Sequence, residues 1–493
     1  MTCNDGCIII LIMKKSIIGR KKEYLRLDKC MRDDTAQLVI VYGRRRVGKT
    51  FLINQYFGNA FDFKLTGAYG EPKAVQLNSF ASELSRKSRK KKIIPKSWTE
   101  AFEMLRDYIE GKESSEKCVV FFDEMPWLDT HRSGFLSAFE FFWNDFGSAC
   151  DNLVFIVCGS ATSWLVDNIA HNKGGLFNRQ TCKLYLEPFT LHETEEYLMH
   201  RGIRWSRYDI TECYMIMGGI PYYLSLLDKE MSYLQNIDYL FFEKKAELWD
   251  EFDHLYNTLF SNGGNYISVV EALSKKEMAL TRSEIADETG LALNGVLSKI
   301  IKNLVDSGFV RENVIFGKKK KETLYQLADY YTCFYFHYLK DNKGIDTHYW
   351  SNTLDSPSRK TWAGITFEQV CKDHIMQIKH KLGISGILTE QSSWSVKADK
   401  QEGIKGTQID LIIDRRDRVI NLCEMKFSLD EYVIDSDYDS RLRSRVETFR
   451  RITGTKKAVQ IAFVTTYGVK ENMYSGIVQK QITMNDLFIE VDD

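Results

Sequence analysis

The chain has few prolines and no excess of charge of either sign. Of its 493 residues, 6 are proline, and 67 basic side chains balance 67 acidic ones, so the formal net charge is zero. The hydrophobic fraction of 44% is typical of a globular protein. Because no global positive charge is available, any binding to nucleic acid must depend on local basic patches.

The sequence also lacks a hydrophobic run long enough to cross a bilayer. The stretch Cys7 to Met13 is apolar but too short for a membrane span or a signal sequence. The 11 cysteines show no metal-like pairing, and Cys118, Cys158 and Cys423 lie in strand-like apolar runs where reduced, buried thiols are expected. We therefore expect a cytoplasmic protein without membrane contact, with residues 1–16 as an N-terminal extension.

A complete phosphate-binding loop is present. An apolar strand leads into the sequence GRRRVGKT at Gly43 to Thr50, and a helix-compatible stretch follows. Glycines let backbone N–H groups surround phosphate oxygens, Lys49 reaches the β- and γ-phosphates, and the Thr50 hydroxyl ligates Mg²⁺. A fortuitous Gly-Lys turn is the alternative, which the strand and helix context disfavours. The residues predicted to bind ATP are Gly43, Arg44, Arg45, Arg46, Val47, Gly48, Lys49 and Thr50.

Two further strands end in side chains suited to nucleotide hydrolysis. The apolar run from Val119 ends in Asp123 and Glu124. Asp123 is predicted to hold Mg²⁺ and Glu124 to polarise the attacking water, since paired acids at a buried strand end are costly without a cation. The next strand leads to Ser160, which is predicted to sense the γ-phosphate or to orient the water, with an ordinary turn residue as the alternative.

The length suggests about three domains. Residues 17–190 alternate strands and helices, which predicts an α/β core with a largely parallel sheet. Residues 191–262 are helical and amphipathic, as expected for a helical lid. Residues 263–345 contain a capping box at Thr281, a helix up to Asp306 and a basic hairpin, which together predict a winged helix. Its predicted DNA contacts are Asn294, Ser298, Lys299, Lys302, Asn303 and the lysines 318–321, and a purely structural role is equally open.

Residues 346–493 contain a second candidate site. Asp410 lies in one apolar strand, and Glu424 with Lys426 lies in the next. Asp410 and Glu424 are predicted ligands of one or two divalent cations, Lys426 would steady the attacking hydroxide, and Glu368 on a helix would complete the acidic cluster. The Glu-x-Lys spacing recurs elsewhere, so burial in a strand is the distinguishing feature. We expect the three acids to meet within one metal coordination sphere.

Taken together, these motifs resemble an archaeal-type family of AAA+ ATPases close to the signal-transduction (STAND) NTPases. The likeness extends to the box Ile18 to Glu23, to Gly174 through Arg179 and to Gly218 through Pro221. It implies that Gly19 and Arg20 lie near the adenine. It also implies that Arg179 contacts the γ-phosphate in cis or from a neighbouring subunit of a homo-oligomer.

The resemblance implies a P-loop AAA+ sandwich with a helical lid, a winged helix and a C-terminal PD-(D/E)XK domain like that of restriction endonucleases. The function implied is ATP hydrolysis, with ATP and Mg²⁺, coupled to DNA binding and metal-dependent DNA cleavage. An ATP-dependent switch whose nuclease-like domain only docks partners or binds DNA is the alternative. A ring-forming ATPase that remodels proteins is a third.

Overall fold

A five-stranded parallel sheet lies at the centre of the first part of the chain. Its order is β2-β3-β4-β1-β5. The strands are β1 (Gln37–Gly43), β2 (Phe63–Thr66), β3 (Cys118–Asp123), β4 (Leu153–Cys158) and β5 (Cys182–Leu186). Strands β3 and β4 are buried along their whole length, as expected for a parallel sheet covered on both faces. The predicted α/β fold with a parallel sheet is therefore confirmed.

The computed structural model describes residues 17–112, 116–160, 162–170, 175–176, 179–260, 263–275, 279–318, 322–399, 401 and 406–491. The predicted N-terminal extension, residues 1–16, lies outside this range. The chain divides into unit 1, Met1–Pro188, and unit 2, Phe189–Asp493. The predicted boundaries of the lid, the winged helix and the C-terminal domain stay predictions.

Aromatic packing holds the helices of unit 1 against the sheet. These helices are Lys21–Arg32, Lys49–Tyr56, Lys73–Ser88, Trp98–Glu110, Phe135–Asp145 and Thr162–Leu165. Phe102 stacks on Phe122 of β3 and on Phe142 at centroid distances of 5.9 and 5.2 Å. Each buried phenylalanine contributes roughly 1.5–3 kcal/mol. This packing fixes the sheet edge where β1, β3 and β4 end.

Unit 2 begins with helices. Its helices are Leu191–His200, Arg207–Met217, Pro221–Ser225, Tyr233–Ile237, Glu251–Leu259, Gly263–Ser274, Arg282–Thr289, Gly295–Asp306, Tyr330–Phe334, Tyr349–Asn352, Pro357–Asp373, Ile375–Leu382 and Ser436–Thr453. Thr190 and Glu193 form a capping box at the first of them, which fixes where the helix starts. The predicted helical character of residues 191–260 is confirmed.

A small antiparallel sheet accompanies three helices between residues 263 and 327. Its strands β6 (Leu280–Thr281), β7 (Val310–Asn313) and β8 (Leu324–Leu327) have the order β6-β8-β7. The predicted capping box is present, with Thr281 accepting from the backbone N–H of Glu284. Of the predicted basic hairpin tip, residues 319–321 lie outside the described part of the chain.

The C-terminal sheet also has five strands, in the order β13-β12-β11-β10-β9. They are β9 (Thr389–Val396), β10 (Thr407–Arg415), β11 (Val419–Lys426), β12 (Ala458–Thr465) and β13 (Lys480–Thr483). Strands β9, β10 and β11 form an antiparallel meander, and β12 pairs parallel to β11. The crossover from β11 to β12 is the helix Ser436–Thr453, since parallel neighbours need a long connection. Among the residues described, no helix is long and apolar enough to cross a membrane.

Candidate nucleotide site and C-terminal charge cluster

The loop Gly43 to Thr50 connects the end of β1 to the N-terminus of the helix Lys49–Tyr56. Gly43 has φ 140°, and a Cβ there would lie 2.3 Å from the carbonyl oxygen of Leu186, so no other residue fits. Arg46 also has a positive φ, 72°, a conformation that costs on the order of 1–3 kcal/mol for a non-glycine residue. This geometry is expected of a loop whose amides turn inward toward an anion.

Lys49 is held inside this loop. Its Nζ donates to the carbonyl oxygens of Gly43 at 2.9 Å and Arg44 at 2.7 Å. Burial lowers the pKa of Lys49, while the nearby groups of Cys158, Glu124 and Asp123 oppose that shift. The ammonium is therefore poorly solvated, and a phosphate anion would stabilise its charge.

Thr50 and Asp123 meet at the carboxyl edge of the sheet. The Thr50 hydroxyl donates to Asp123 Oδ1 at 2.9 Å. Burial raises the pKa of Asp123, and the Thr50 hydrogen bond lowers it. A hydroxyl and a carboxylate at this separation form an oxygen donor set that suits Mg²⁺. The structure brings together the two residues predicted to hold the metal.

Glu124 is aimed at Ser160. The residue adopts a left-handed conformation with φ 46° directly after β3, which turns its carboxylate toward the end of β4. Ser160 donates to it twice, from Oγ at 2.7 Å and from the backbone N–H at 3.0 Å. Ser160 therefore orients the predicted catalytic acid, a contact that the sequence did not indicate.

Two features that support this edge were not predicted. Gly159 lies so close to the ring of Pro126 that a Cβ would come within 2.5 Å of its Cδ. Gln76 is fully buried and donates to the carbonyl oxygens of Ala68 and Trp127 at 2.7 and 3.2 Å. The contacts of Gly159 with Pro126 and of Gln76 with Trp127 join segments far apart in sequence, and only the glycine next to Ser160 indicates one of them in advance.

The N-terminal box contacts the phosphate loop from one side. Gly19 has φ 65° and Arg20 φ 62°. The guanidinium of Arg20 is buried and donates to the carbonyl oxygen of Val47 at 3.1 Å, and it lies 3.7 Å from Glu23. Arg20 therefore buttresses the loop, and its predicted place near the adenine stays a prediction.

Arg179 is exposed, and its backbone N–H closes a turn onto the carbonyl oxygen of Leu176 at 3.2 Å. The residues just before it lie outside the described part of the chain. Its contact with the γ-phosphate stays a prediction.

Comparison with known proteins agrees with this geometry. Residues 18–227 match a family described as an ATPase domain predominantly from Archaea. The chain carries an archaeal-type P-loop ATPase domain. An uncharacterized protein of Methanocaldococcus jannaschii is 24% identical over 369 residues, which are 73% of this chain and 77% of that protein. An ATP-binding protein of the same organism is 45% identical over 42 residues, which are 8% of this chain and 71% of that protein.

One solved structure similar to this chain is the Walker-type ATPase of Pyrococcus abyssi. The TM-score is 0.45 at 18% identity, and the match covers 64% of this chain and 95% of that one.

The second candidate site lies outside the ATPase domain, on β10 and β11. Leu411 pairs with Cys423, so their chain neighbours Asp410 and Glu424 lie near each other on adjoining strands, where β10 has an irregular register between Ile409 and Ile412. Lys426 Nζ lies 3.9 Å from Glu424 Oε2. The structure thus brings these three predicted residues to one end of the sheet.

Glu368 interacts with this group through Asp410. Burial raises the pKa of Glu368 to about 7, and the charge of Asp410 adds to that shift, while Lys372 and Lys426 oppose it. Glu368 therefore retains a proton more readily than an ordinary glutamate near neutral pH.

Glu424 has other partners. Arg445 forms an ion pair with its Oε1, and the Tyr438 hydroxyl donates to its Oε2 at 2.9 Å. Both come from the helix Ser436–Thr453. In the described part of the chain, no three His, Cys, Asp or Glu side chains are grouped closely enough to hold a metal ion. The expected convergence of the three acids is therefore wrong for this conformation, because Glu424 is engaged by that helix while Glu368 lies near Asp410.

Four of the five helix side chains predicted to contact DNA have partners within the protein. Asn294 caps its helix by accepting from the N–H groups of residues 296 and 297, and Asn303 is buried against the hydroxyl of Tyr266 at 2.8 Å. Ser298 accepts from Arg282 at 2.6 Å, and Lys302 pairs with Asp306. Lys299 is exposed. Asn303 is buried and so is removed from the predicted contacts, while DNA contact by the other side chains stays a prediction.

Proposed function

We propose that the ATPase domain binds Mg²⁺–ATP at Gly43 to Thr50 and hydrolyses it with Glu124. The observation that carries this proposal is the double hydrogen bond from Ser160 to Glu124, since an acid held in one orientation can polarise a water at a fixed place. The Thr50–Asp123 contact supports the same proposal. Its oxygens would hold Mg²⁺, which neutralises phosphate charge when bound.

Lys49 and the loop amides would recognise the phosphates. In the structure the ammonium donates to carbonyl oxygens of its own loop. We expect it to exchange these partners for β- and γ-phosphate oxygens, which are stronger acceptors because they are charged. Ser160 would keep Glu124 in its orientation as the γ-phosphate arrives. This sequence of exchanges makes turnover depend on nucleotide position.

We expect the substitution Lys49→Ala to weaken ATP affinity by about tenfold to a hundredfold, the effect of one lost charge-assisted hydrogen bond. Calorimetric titration with a slowly hydrolysed ATP analogue measures it. The matched control is Lys92→Ala, because Lys92 is exposed and donates to Asn78 away from the loop. A Lys49→Ala protein that binds the analogue as tightly as wild type would contradict the assignment.

For unit 2 we propose a winged helix between residues 263 and 345 and a restriction-endonuclease-like domain after it. Two features support the second assignment. A helix, an antiparallel meander of three strands, a helix and a parallel strand follow one another in that order. Asp410, Glu424 and Lys426 also lie on neighbouring strands of that sheet. The wider proposal is a cytoplasmic ATPase whose nucleotide state controls DNA binding by these domains. Arg179 would contact the γ-phosphate of its own site, or that of a neighbouring subunit in a homo-oligomer.

Two versions of this proposal differ in chemistry. The pairing of Glu424 with Arg445 favours the version in which the C-terminal domain binds DNA or docks partners without cutting, because the carboxylate is already neutralised. The position of Lys426 beside Glu424 favours cleavage, since its ammonium would stabilise the charge on a phosphodiester. We rank the ATP-dependent switch first and DNA cleavage second.

A plasmid cleavage assay with Mg²⁺ or Mn²⁺ separates these versions. If the domain cuts DNA, Lys426→Ala is expected to slow cleavage by about a hundredfold or more, because one positioned charge is lost from the reacting centre. Lys397→Ala is the matched control, since Lys397 is an exposed lysine just after β9. If the wild-type protein does not cut the plasmid, the version in which the C-terminal domain binds DNA or docks partners without cleavage remains. Cleavage unaffected by Lys426→Ala would remove Lys426 from the site.

A further inference from the structure

The guanidinium of Arg445 pairs with Glu424, a residue that the sequence predicts to bind a metal cation. Arg445 pairs with one oxygen of Glu424, and its Nε donates to the Thr407 hydroxyl at 3.1 Å. The other oxygen of Glu424 accepts from Tyr438. Glu424 is only 8% exposed, so its charge needs such partners. Both carboxylate oxygens are therefore occupied by donors of the chain itself.

The charge of Asp410, the other predicted metal ligand, also acts on Arg445. Burial lowers the pKa of Arg445, and the charge of Asp410 acts in the opposite direction. Asp410 itself accepts from the side chain of Gln408 at 2.5 Å. The guanidinium thus lies within electrostatic reach of Asp410 while it is bonded to Glu424, so it acts on both predicted metal ligands.

The charges around this position balance. We define the C-terminal charge cluster as Glu368, Lys372, Asp410, Glu424, Lys426 and Arg445. Burial lowers the pKa of Lys372, and the charge of Asp410 opposes that shift. Three acids thus face three cationic side chains. A buried carboxylate usually requires a metal or a paired cation, and here Arg445 supplies the paired cation for Glu424.

We propose that Arg445 is an internal counter-ion that competes with a divalent cation for Glu424, so that the C-terminal site accepts Mg²⁺ or Mn²⁺ only after the guanidinium has moved away. This rests on the proposed restriction-endonuclease-like domain for the position of the site. Binding of the metal and departure of Arg445 are linked, because the same carboxylate cannot satisfy both cations at full strength. Any group that draws Arg445 away, such as a phosphate of bound DNA, would favour metal uptake.

Mn²⁺ binding to the full-length protein tests this inference. We count only the binding that Glu424→Gln abolishes, because that portion belongs to the C-terminal site. Arg445→Met is expected to strengthen it by at least about tenfold, the size of one charge-assisted hydrogen bond removed from competition. Arg445→Lys keeps a competing charge and is expected to stay close to wild type. Isothermal titration calorimetry without nucleotide is the measurement.

Arg443→Met is the matched control, because Arg443 lies two residues earlier on the same helix, is exposed and pairs with Asp439. Arg445→Gln retains an N–H donor for Thr407 and serves as the second variant if Arg445→Met does not fold, which a thermal melt reveals. Folded Arg445→Met or Arg445→Gln protein with wild-type Mn²⁺ affinity would overturn the inference, as would the absence of any Glu424-dependent binding in all variants. Tighter Mn²⁺ binding without DNA cleavage would support the inference and reject the nuclease.

Discussion

Glu124→Gln is expected to stop ATP turnover while ATP remains bound. Glutamine keeps the size of the side chain and can still bond to Ser160, but its amide cannot polarise a water as a carboxylate does. Loss of such a group typically lowers the rate about 10²–10⁴-fold. The binding residues on the loop from Gly43 to Thr50 are untouched, so ATP affinity should change little.

Single-turnover phosphate release, measured beside ATP binding, tests this expectation. Ser160→Ala is the informative comparison, because it removes the 2.7 Å hydrogen bond to Glu124 but leaves the carboxylate and the backbone donor. We expect a smaller loss than for Glu124→Gln. Glu124→Gln protein that releases phosphate at the wild-type rate would show that another group polarises the water.

Arg359→Met is expected to destabilise unit 2 by about 3–5 kcal/mol, the usual cost of leaving one charge of a buried ion pair unpaired. Arg359 is 2% exposed, and its Nη2 lies 3.3 Å from the buried Glu212. Its Nη1 donates to the carbonyl oxygen of Trp350 at 2.8 Å, and its guanidinium stacks 3.8 Å from the centre of that ring. Burial already raises the pKa of Glu212, and Arg359 lowers it.

Urea unfolding of the full chain measures the loss. Lys302→Met is the control, since it breaks an ion pair between partly exposed residues in the same unit, worth about 0–1 kcal/mol. The double substitution Arg359→Met with Glu212→Leu should recover much of the stability, because no buried charge is then left alone. An Arg359→Met protein as stable as the Lys302→Met control would show that the pair contributes little.

Much of the nucleotide site could be predicted because its residues are close together in sequence. Gly43 to Thr50 form one loop, and Asp123 and Glu124 lie at the end of a strand that the sequence shows as an apolar run. The helix start at Thr281 was also predicted, since a cap uses neighbouring residues. The pairing of Glu124 with Ser160 was not, because it joins the ends of two strands 36 residues apart.

The C-terminal charge cluster shows the limit of sequence patterns. The spacing of Asp410, Glu424 and Lys426 correctly placed them on adjoining strands, yet it could not indicate which cation neutralises Glu424. That role went to Arg445, 21 residues further on. An arginine-rich helix following the Glu-x-Lys strand was the available signal, but helical arginines usually face solvent.

The sequence by itself determined that this protein binds a nucleotide, because a phosphate loop is a local structure whose glycines, lysine and threonine must be contiguous. It also determined the alternation of strands and helices that forms the parallel sheet. The tertiary structure alone decided which side chains pair with three acids: Ser160 with the partly buried Glu124, Arg359 with the buried Glu212 and Arg445 with the buried Glu424. Those partners depend on how distant elements pack, and a buried charge takes whichever donor that packing brings within reach.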